Sequence, residues 1–443
     1  MKKTTIYSII IASAAMFCAC GELSNDYTTY PVTVELKYPA GSPAGPTSGV
    51  LVKLTGSTGN PVFESETNEE GIAVFAVPAG IYEVSSSSKE AVDNYTYNYN
   101  GIKTNIPVTA GRTDKERISL ELVVSKSAQI IIKEIYNGGC QRNDGSGTFQ
   151  NDKYVILYNN SEKQANLKDL CLTVVTPANA QATNNDYGTD GKLSYETAGW
   201  IPSGGAFLYF AEDAILQPFE EAVIALANAV DHTVTYRNSI NFANESYYCV
   251  YDPLTYTGHA SPSDRIPTSH YLKAHKFATG TMFIVSVTSP AIFIFKPTGG
   301  ITPQDLANDT DRDNYHGNTV SAANKRKKID VDWVLDGVEV FTNSSSANKK
   351  RLTAAIDAGY VYLTHYYGHT LYRNVDKEAT EAITGNEGKL IYNYDLGVDG
   401  HGDPNGIDAE ASSRNGAHII YMDTNNSAND FHERTEASLR YNK

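Results

Sequence analysis

The sequence predicts an all-β chain: a small β-sandwich followed by a larger β-sandwich with long loops and few short helices. Three observations carry this. Apolar and β-branched residues recur with period two in short segments, and Gly, Pro and Asn punctuate them at close intervals. Tyrosine, which suits strands and wet surfaces, occurs 30 times against two tryptophans, Trp200 and Trp333. Helical periodicity is confined to stretches such as PQDLAND, ANAVDH and KKRLTAAIDAG, each long enough for one or two turns; in the last, Gly359 fits a C-cap.

The chain opens with MKKTTIYSIIIASAAMFCAC. Lys2 and Lys3 precede an apolar run over residues 6–17, broken only by Ser8 and Ser13. This is the pattern of a secretory signal, too short to span a bilayer. The small residue Ala19 directly before Cys20 resembles the bacterial lipoprotein signal, which implies cleavage after residue 19 and acylation of Cys20. Several acyl chains, at about 0.8 kcal/mol per buried methylene, anchor firmly. The alternative is a cleaved signal that leaves Cys20 free. Residues 20–29 read as a polar tether, and its acidic Glu22 and Asp26 resemble the surface-export signal of Bacteroidota lipoproteins.

Residues 30–124 form the first predicted domain. YPVTVELKY alternates through Val32, Val34 and Leu36, and GVLVKLTGS, NPVFESE, GIAVFAV, GIYEVSSS, IKTNIPVT and RISLELVV follow, seven short strands in all. Within TNEEGIAVFAVPAGIYEVSSS, a turn ending at Gly71 leads into a strand carrying Ile72, Val74 and Val77. Pro78-Ala79-Gly80 then returns to a strand with Tyr82. Gly71 and Gly80 are expected to supply positive φ. This stretch resembles the carboxypeptidase regulatory-like, transthyretin-like modules, which implies an immunoglobulin- or transthyretin-like spacer or docking domain without catalysis.

Residues 125–443 form the second. AQIIIKEIYNGG, a loop, and DKYVILYNNSEKQANLKDLCLTVV place Glu134, Tyr158, Asn159, Asn160, Leu167 and Leu170 where lamin-tail domains carry their opening strands. The resemblance implies a lamin-tail-like sandwich. KEIYNGG, YVILYNNS, WIPSGG, AVIALANAVDHT, IDVDWVLDGVEVF, IDAGY and IIYMDTNNSANDF follow in the order of a family of uncharacterised Bacteroidota lipoproteins, domain-of-unknown-function family 4876. Against that pattern, Pro218-Phe219-Glu220 replaces the usual Pro-Gly, Arg373-Asn374 is what remains of a basic pair, and residues 374–415 read as an insertion. The resemblance implies an accessory outer-membrane protein working beside a TonB-dependent receptor.

A formal charge of −15 argues against nucleic acid or anionic lipid as partner. Cys140, Cys171 and Cys249 allow one disulfide at most, with the pairing left open, and none has a C-x-x-C neighbour. Calcium is the candidate cofactor, because hard oxygen donors cluster in three loops. In DTNNSANDF these are Asp423, Asn425 and Asp430, which also fit an Asx-rich turn. In DTDRDNYHGNTV, Asp309, Asp311 and Asp313 take the first, third and fifth places of an EF-hand-like loop that lacks its Gly and its final Glu. DLGVDGHGDPNGID, with Asp395, Asp399, Asp403 and Asp408, fits either a cation loop or a surface insertion. His365 and His369 have H-x3-H spacing, but on a continuous strand they stand about 13 Å apart; a turn at Gly368 is needed to bring them together. Nucleophile elbow, zincin and phosphate-loop templates fail.

The expectation is therefore a non-catalytic, lipid-anchored cell-surface protein, binding or docking for an outer-membrane β-barrel receptor. The alternatives are a calcium-stabilised adhesion module and an envelope hydrolase. Binding residues concentrate on loops at the ends of sandwiches, which selects loops 141–151, 177–191 and 260–270. Tyr247, Tyr248, Tyr251 and Tyr256 are the candidate flat contact area, or ordinary strand packing.

Overall fold

In the computed structural model the alternating segments of the first domain become two facing sheets. The structure describes residues 28–40, 42, 45–56, 61–92, 95–113, 116–179, 183–343, 347–392 and 403–440. Cys20 and the signal lie outside these residues, as do Asp395 and Asp399. The first eight strands are β1 (Thr29–Lys37), β2 (Leu51–Gly56), β3 (Val62–Glu66), β4 (Ile72–Pro78), β5 (Gly80–Val92), β6 (Tyr95–Val108), β7 (Arg117–Glu121) and β8 (Val123–Ser127). One sheet runs β4-β1-β7, with β7 parallel to β1; the other runs β3-β2-β5-β6-β8, antiparallel throughout. The inward residues Val32, Val34, Val52, Leu54, Val84 and Leu120 are completely buried.

Two details differ from the sequence expectation. RISLELVV is two strands: at buried Leu122 the chain leaves the first sheet and β8 joins β6 in the second, the corner by which sandwiches switch layers. Gly71 does adopt φ +75°, in a turn where the Asn68 carboxamide oxygen accepts from the backbone N–H of Glu70 and Ile72. Gly80 does not have positive φ. It lies in β5, where a Cβ would approach the Tyr82 ring to 3.2 Å, and the Tyr82 hydroxyl donates to the Pro78 carbonyl.

The second domain begins with β9 (Ile130–Tyr136), β10 (Cys140–Gln141), β11 (Thr148–Phe149), β12 (Tyr154–Asn159), β13 (Ala165–Asn166), β14 (Cys171–Val174) and β15 (Trp200–Ser203). It continues with β16 (Ala206–Tyr209), β17 (Ile215–Leu216), β18 (Glu221–Ala225), β19 (Tyr248–Val250), β20 (Tyr271–Lys276), β21 (Ala291–Phe295) and β22 (Asp313–Tyr315). The last strands are β23 (Lys325–Asp330), β24 (Val334–Phe341), β25 (Val361–Tyr362), β26 (Thr370–Arg373) and β27 (Phe431–Arg434).

Twelve of these form one sheet, in the order β25-β24-β21-β14-β16-β20-β19-β18-β12-β9-β26-β27. Its two halves are joined by the short parallel pair β19–β20. They face each other across the main core, where Ile132, Leu157 and Ile224 of one half meet Leu172, Leu208 and Ile292 of the other. The packing is that of a sandwich closed along one side. The far ends also approach, since the Ile132 N–H donates to Asp336 at 2.7 Å and the Thr364 N–H to Glu433 at 3.0 Å. The outer faces are covered as well. Phe207, Phe293 and Phe295 lie under Ile329 and Trp333, Tyr154 and Ile156 under Ile240 and Phe242, and Ile131 and Tyr372 under Ile407 and Ile419. Strands buried on both sides need continuous apolar sequence, which is why β9, β12 and β21 are buried at every position.

Helices are short: α1 (Pro303–Asn308), α2 (Lys377–Glu381), α3 (Ala409–Arg414) and α4 (Ser427–Asp430). PQDLAND is α1, held by a Thr302–Asp305 capping box. Residues 352–357 make a single turn, but Gly359 is not its left-handed cap; a Cβ there would fall 1.9 Å from the Asn426 side-chain oxygen. The described part of 374–415 is integral to the fold. Val375, Ile407 and Ala409 are buried, Asp403 accepts from the Val375 N–H, and Asp408 caps α3.

Candidate functional site

The two domains meet through Lys89–Asp376 at 2.8 Å, the Asn100 carboxamide on the Thr424 carbonyl, and the Ser127 hydroxyl on the Asp423 carbonyl. Beside these contacts lies a cleft of about 1070 Å³. Its floor is the outer face of the five-stranded sheet. Register places Ser87, Asn100 and Val123 in one row, with Leu51 beside Ser87, and Lys53, Ser85 and Ile102 in the next. These are the outward positions of alternating strands, yet Leu51, Ile102 and Val123 are apolar and 38%, 63% and 41% exposed. The hydroxyls of Ser85 and Ser87 bond to no described residue. The opposite wall carries Tyr360 and Tyr362, about two-fifths exposed, with ring centroids 5.5 Å apart and planes at 69°. Tyr360 also rests edge-on against Phe341. Asn426, Ala428 and Asn429 complete this wall. Charge is sparse: Lys53 pairs with Glu64 at 2.9 Å, Glu121 accepts from the Ser119 hydroxyl at 2.7 Å, and Glu83 is the third charged residue of the lining.

Beneath the second wall, the predicted oxygen ligands gather around an arginine. The Arg373 guanidinium, 1% exposed, donates to the carbonyls of Ile132 and Met422 and meets the carboxylates of Asp336, Asp423 and Asp430. Asp430 also accepts from the Thr424 N–H and hydroxyl, and Asn425 takes the left-handed turn at φ +51°. Burial among like charges pushes the Asp336 carboxyl up to about 7 and that of Asp430 up to about 6, against the pull of Arg373. Asp309, Asp311 and Asp313 lie elsewhere. Asp309 accepts from the Asp311 N–H, and Asp313 is clasped by Lys325 and Lys327 at 2.7 and 2.6 Å. Among the described residues no three His, Cys, Asp or Glu side chains are placed to hold a metal ion.

The four tyrosines do not form one flat surface. Tyr256 is 4% exposed and belongs to the main core, which removes it as a contact residue. Tyr247 and Tyr251 are half-buried against the outer core around Phe242. Tyr248 stacks on His270 at 4.3 Å and lines a second concavity of about 660 Å³ with Phe210, Asp213 and Lys273. Of the selected loops, 141–151 is tied to 235–237 through Asn143, and Asp186 of 177–191 is gripped by buried Arg326. A turn does form near Gly368, but His369 is taken by Glu433 while His365 packs on the Tyr366 ring. Cys140, Cys171 and Cys249 are buried and none is in a disulfide, so the one bridge the sequence allows is not made. Burial lifts the thiols of Cys140 and Cys249 to about 12, far from reactivity.

The cleft residues escaped the sequence reading. Their signal is an apolar or small residue at an outward position of an alternating strand, as at Leu51, Ser85, Ser87, Ile102 and Val123. Tyr362 sits on β25 and Tyr360 directly before it, and a strand of two residues is not announced by sequence.

Residues 217–393 match the family model described as "Protein of unknown function (DUF4876)", a stretch that includes Tyr360 and Tyr362. Among solved structures, the chain is similar to a DUF4876 family protein from Bacteroides thetaiotaomicron. The two share 20% identity and a TM-score of 0.52 over 91% of this chain and 94% of that one, a likeness of fold. An adhesin candidate from Bacteroides ovatus aligns at 10% identity over 72% of this chain and 89% of that one, with a TM-score of 0.20, too loosely to inform the fold. No curated protein matches the chain.

Proposed function

We propose that this chain is a non-catalytic binding lipoprotein of the cell surface, anchored to the outer membrane through Cys20 and serving a β-barrel, TonB-dependent receptor. One observation carries the binding role: an open cleft to which both domains contribute exposed apolar and aromatic side chains. Domain junctions are where ligand sites concentrate, and exposed apolar area in a concavity is uncommon without a partner. The strongly perturbed carboxyls at Asp336 and Asp430 are enclosed and held by Arg373 and backbone donors, an arrangement suited to holding chain segments together. In this reading the first domain acts as a regulatory-like docking module and the second as a lamin-tail-like ligand platform. The test is mild-detergent capture of the tagged lipoprotein from its own outer membrane, with Cys20→Ala in parallel. A stoichiometric β-barrel partner, and release of the variant from membranes, are expected. Recovery of the lipoprotein alone overturns the receptor role, and a membrane-bound variant overturns the anchor.

A further inference from the structure

We infer that the occupant of the interdomain cleft is a neutral oligosaccharide. This rests on the cleft being the binding site, and it adds the ligand's chemistry. The central side chains of the floor, Ser85 and Ser87, are small, and their hydroxyls are left for a ligand. Asn100 stands beside Ser87, and Asn426 and Asn429 face it from the other wall. Hydroxyls and amides both donate and accept, which suits a ligand whose own groups are hydroxyls. Tyr360 and Tyr362 expose ring area above this floor, and Leu51, Ile102 and Val123 flank it. A sugar ring has apolar C–H faces and a polar rim, so it meets both kinds of surface at once, and a tyrosine offers the same pairing of ring and hydroxyl.

Charge and size narrow the class. Lys53 is the lining's one cation and pairs with Glu64, which leaves no cationic cluster for an acidic ligand, and Glu83 and Glu121 are the two carboxylates a basic one would find. A purely apolar ligand would strand the Ser85 and Ser87 hydroxyls without partners. At about 1070 Å³ the cleft sits at the upper end of small-molecule sites, so it accepts more than one sugar ring. An extended peptide fits less well. Peptides bind sheets by adding to an edge, but the floor presents chiefly a face, and the edges that reach it are the two-residue β25 and the start of β8 at Val123.

The test is binding of the full chain to an array of neutral hexose and pentose oligosaccharides, beside an array of extended peptides, with Tyr362→Ala and Ser85→Tyr as variants. Both positions are solvent-accessible, and tyrosine is at home in a strand, so melting confirms that the variants fold. Binding to at least one neutral oligosaccharide is expected, weakened about tenfold or more by each variant. Capture of peptides without sugars, no binding on either array, or sugar binding indifferent to both variants would each overturn the inference. A receptor recovered from the outer membrane together with a silent array sinks the sugar alone, whereas a sugar bound through Tyr362 with no receptor recovered sinks the receptor role alone.

Discussion

The two domains are both built of strands, but they bury them differently. In the first, each sheet packs one face inward. Val52 and Leu54 are completely buried while Leu51 and Lys53 beside them point out. In the second, both faces of the long sheet are covered, and the coverings are loops and short helices that carry their own polar backbone inside. Such backbone needs partners. Three buried arginines supply them and are also paired with acids, Arg326 with Asp186, Arg351 with Glu339 and Arg373 with Asp336, while a fourth, Arg434, pairs with Glu410 and His432. Arg351, for example, donates to the carbonyls of Pro177 and Ser289 as well as to Glu339. Among the described residues the first domain buries no arginine in this way. The first domain is thus held by apolar packing, and the second by apolar packing plus ionic staples that fix its loops. The cleft lies where an uncovered outer face of the first meets a stapled loop of the second.

The sharpest way to break this comparison is to remove a staple. Arg373→Ala leaves Asp336, Asp423 and Asp430 buried together without their cation, and stability of the second domain should fall by about 3–5 kcal/mol in urea unfolding. A loss below about 1 kcal/mol would show that the arginine is dispensable. In the first domain the corresponding loss comes from an apolar residue. Leu54→Ala should cost about 2–5 kcal/mol, with the second domain's transition unmoved if the two unfold separately.

Acidity separates the domains next. In the unfolded chain Asp336 and Asp430 titrate near 3.8, but in the fold they hold their protons up to about 7 and about 6. Between about pH 4 and 7 the folded state binds more protons, so stability of the second domain falls as pH rises through that window and returns on acidification. Melting followed from pH 8 to pH 5 should therefore show the second transition rising, and Asp336→Asn should flatten the slope. A second transition that instead falls throughout this range would contradict the account of the cluster.

Two glycines sharpen the contrast at smaller scale. Gly359→Ala drives a Cβ into Asn426 of the stapled loop and should cost about 1–3 kcal/mol. Gly71→Ala meets no close neighbour and pays only for its φ, about 1 kcal/mol. Equal costs would mean that the 426–429 segment yields freely. Smallest of all, Glu64→Ala removes an exposed partner of Lys53 and should change stability by no more than about 1 kcal/mol.

The same difference explains what was legible in the sequence. Alternation at Val32, Val34 and Leu36, or at Val52 and Leu54, reports one buried face directly, and the strands of the first domain follow from it. Continuous runs such as IIIKEIY report burial on both sides but not what lies on either, so the joining of twelve strands through the short β19–β20 pair was not visible. The residues of DTNNSANDF were legible as oxygen-rich, but not the partner they share, because Arg373 is some fifty positions away in sequence. The cleft has two walls from distant segments, and neither Ser85 nor Tyr362 has any local mark of facing the other.

The central claim is that both domains together build one binding cleft. Hydrogen exchange of the chain in the envelope fraction of its own cells, compared with the purified chain, tests it most directly. Joint protection of the peptides covering residues 85–102 and 358–363 is the predicted result. Protection confined to one domain, or found only at loops away from the cleft, would contradict it.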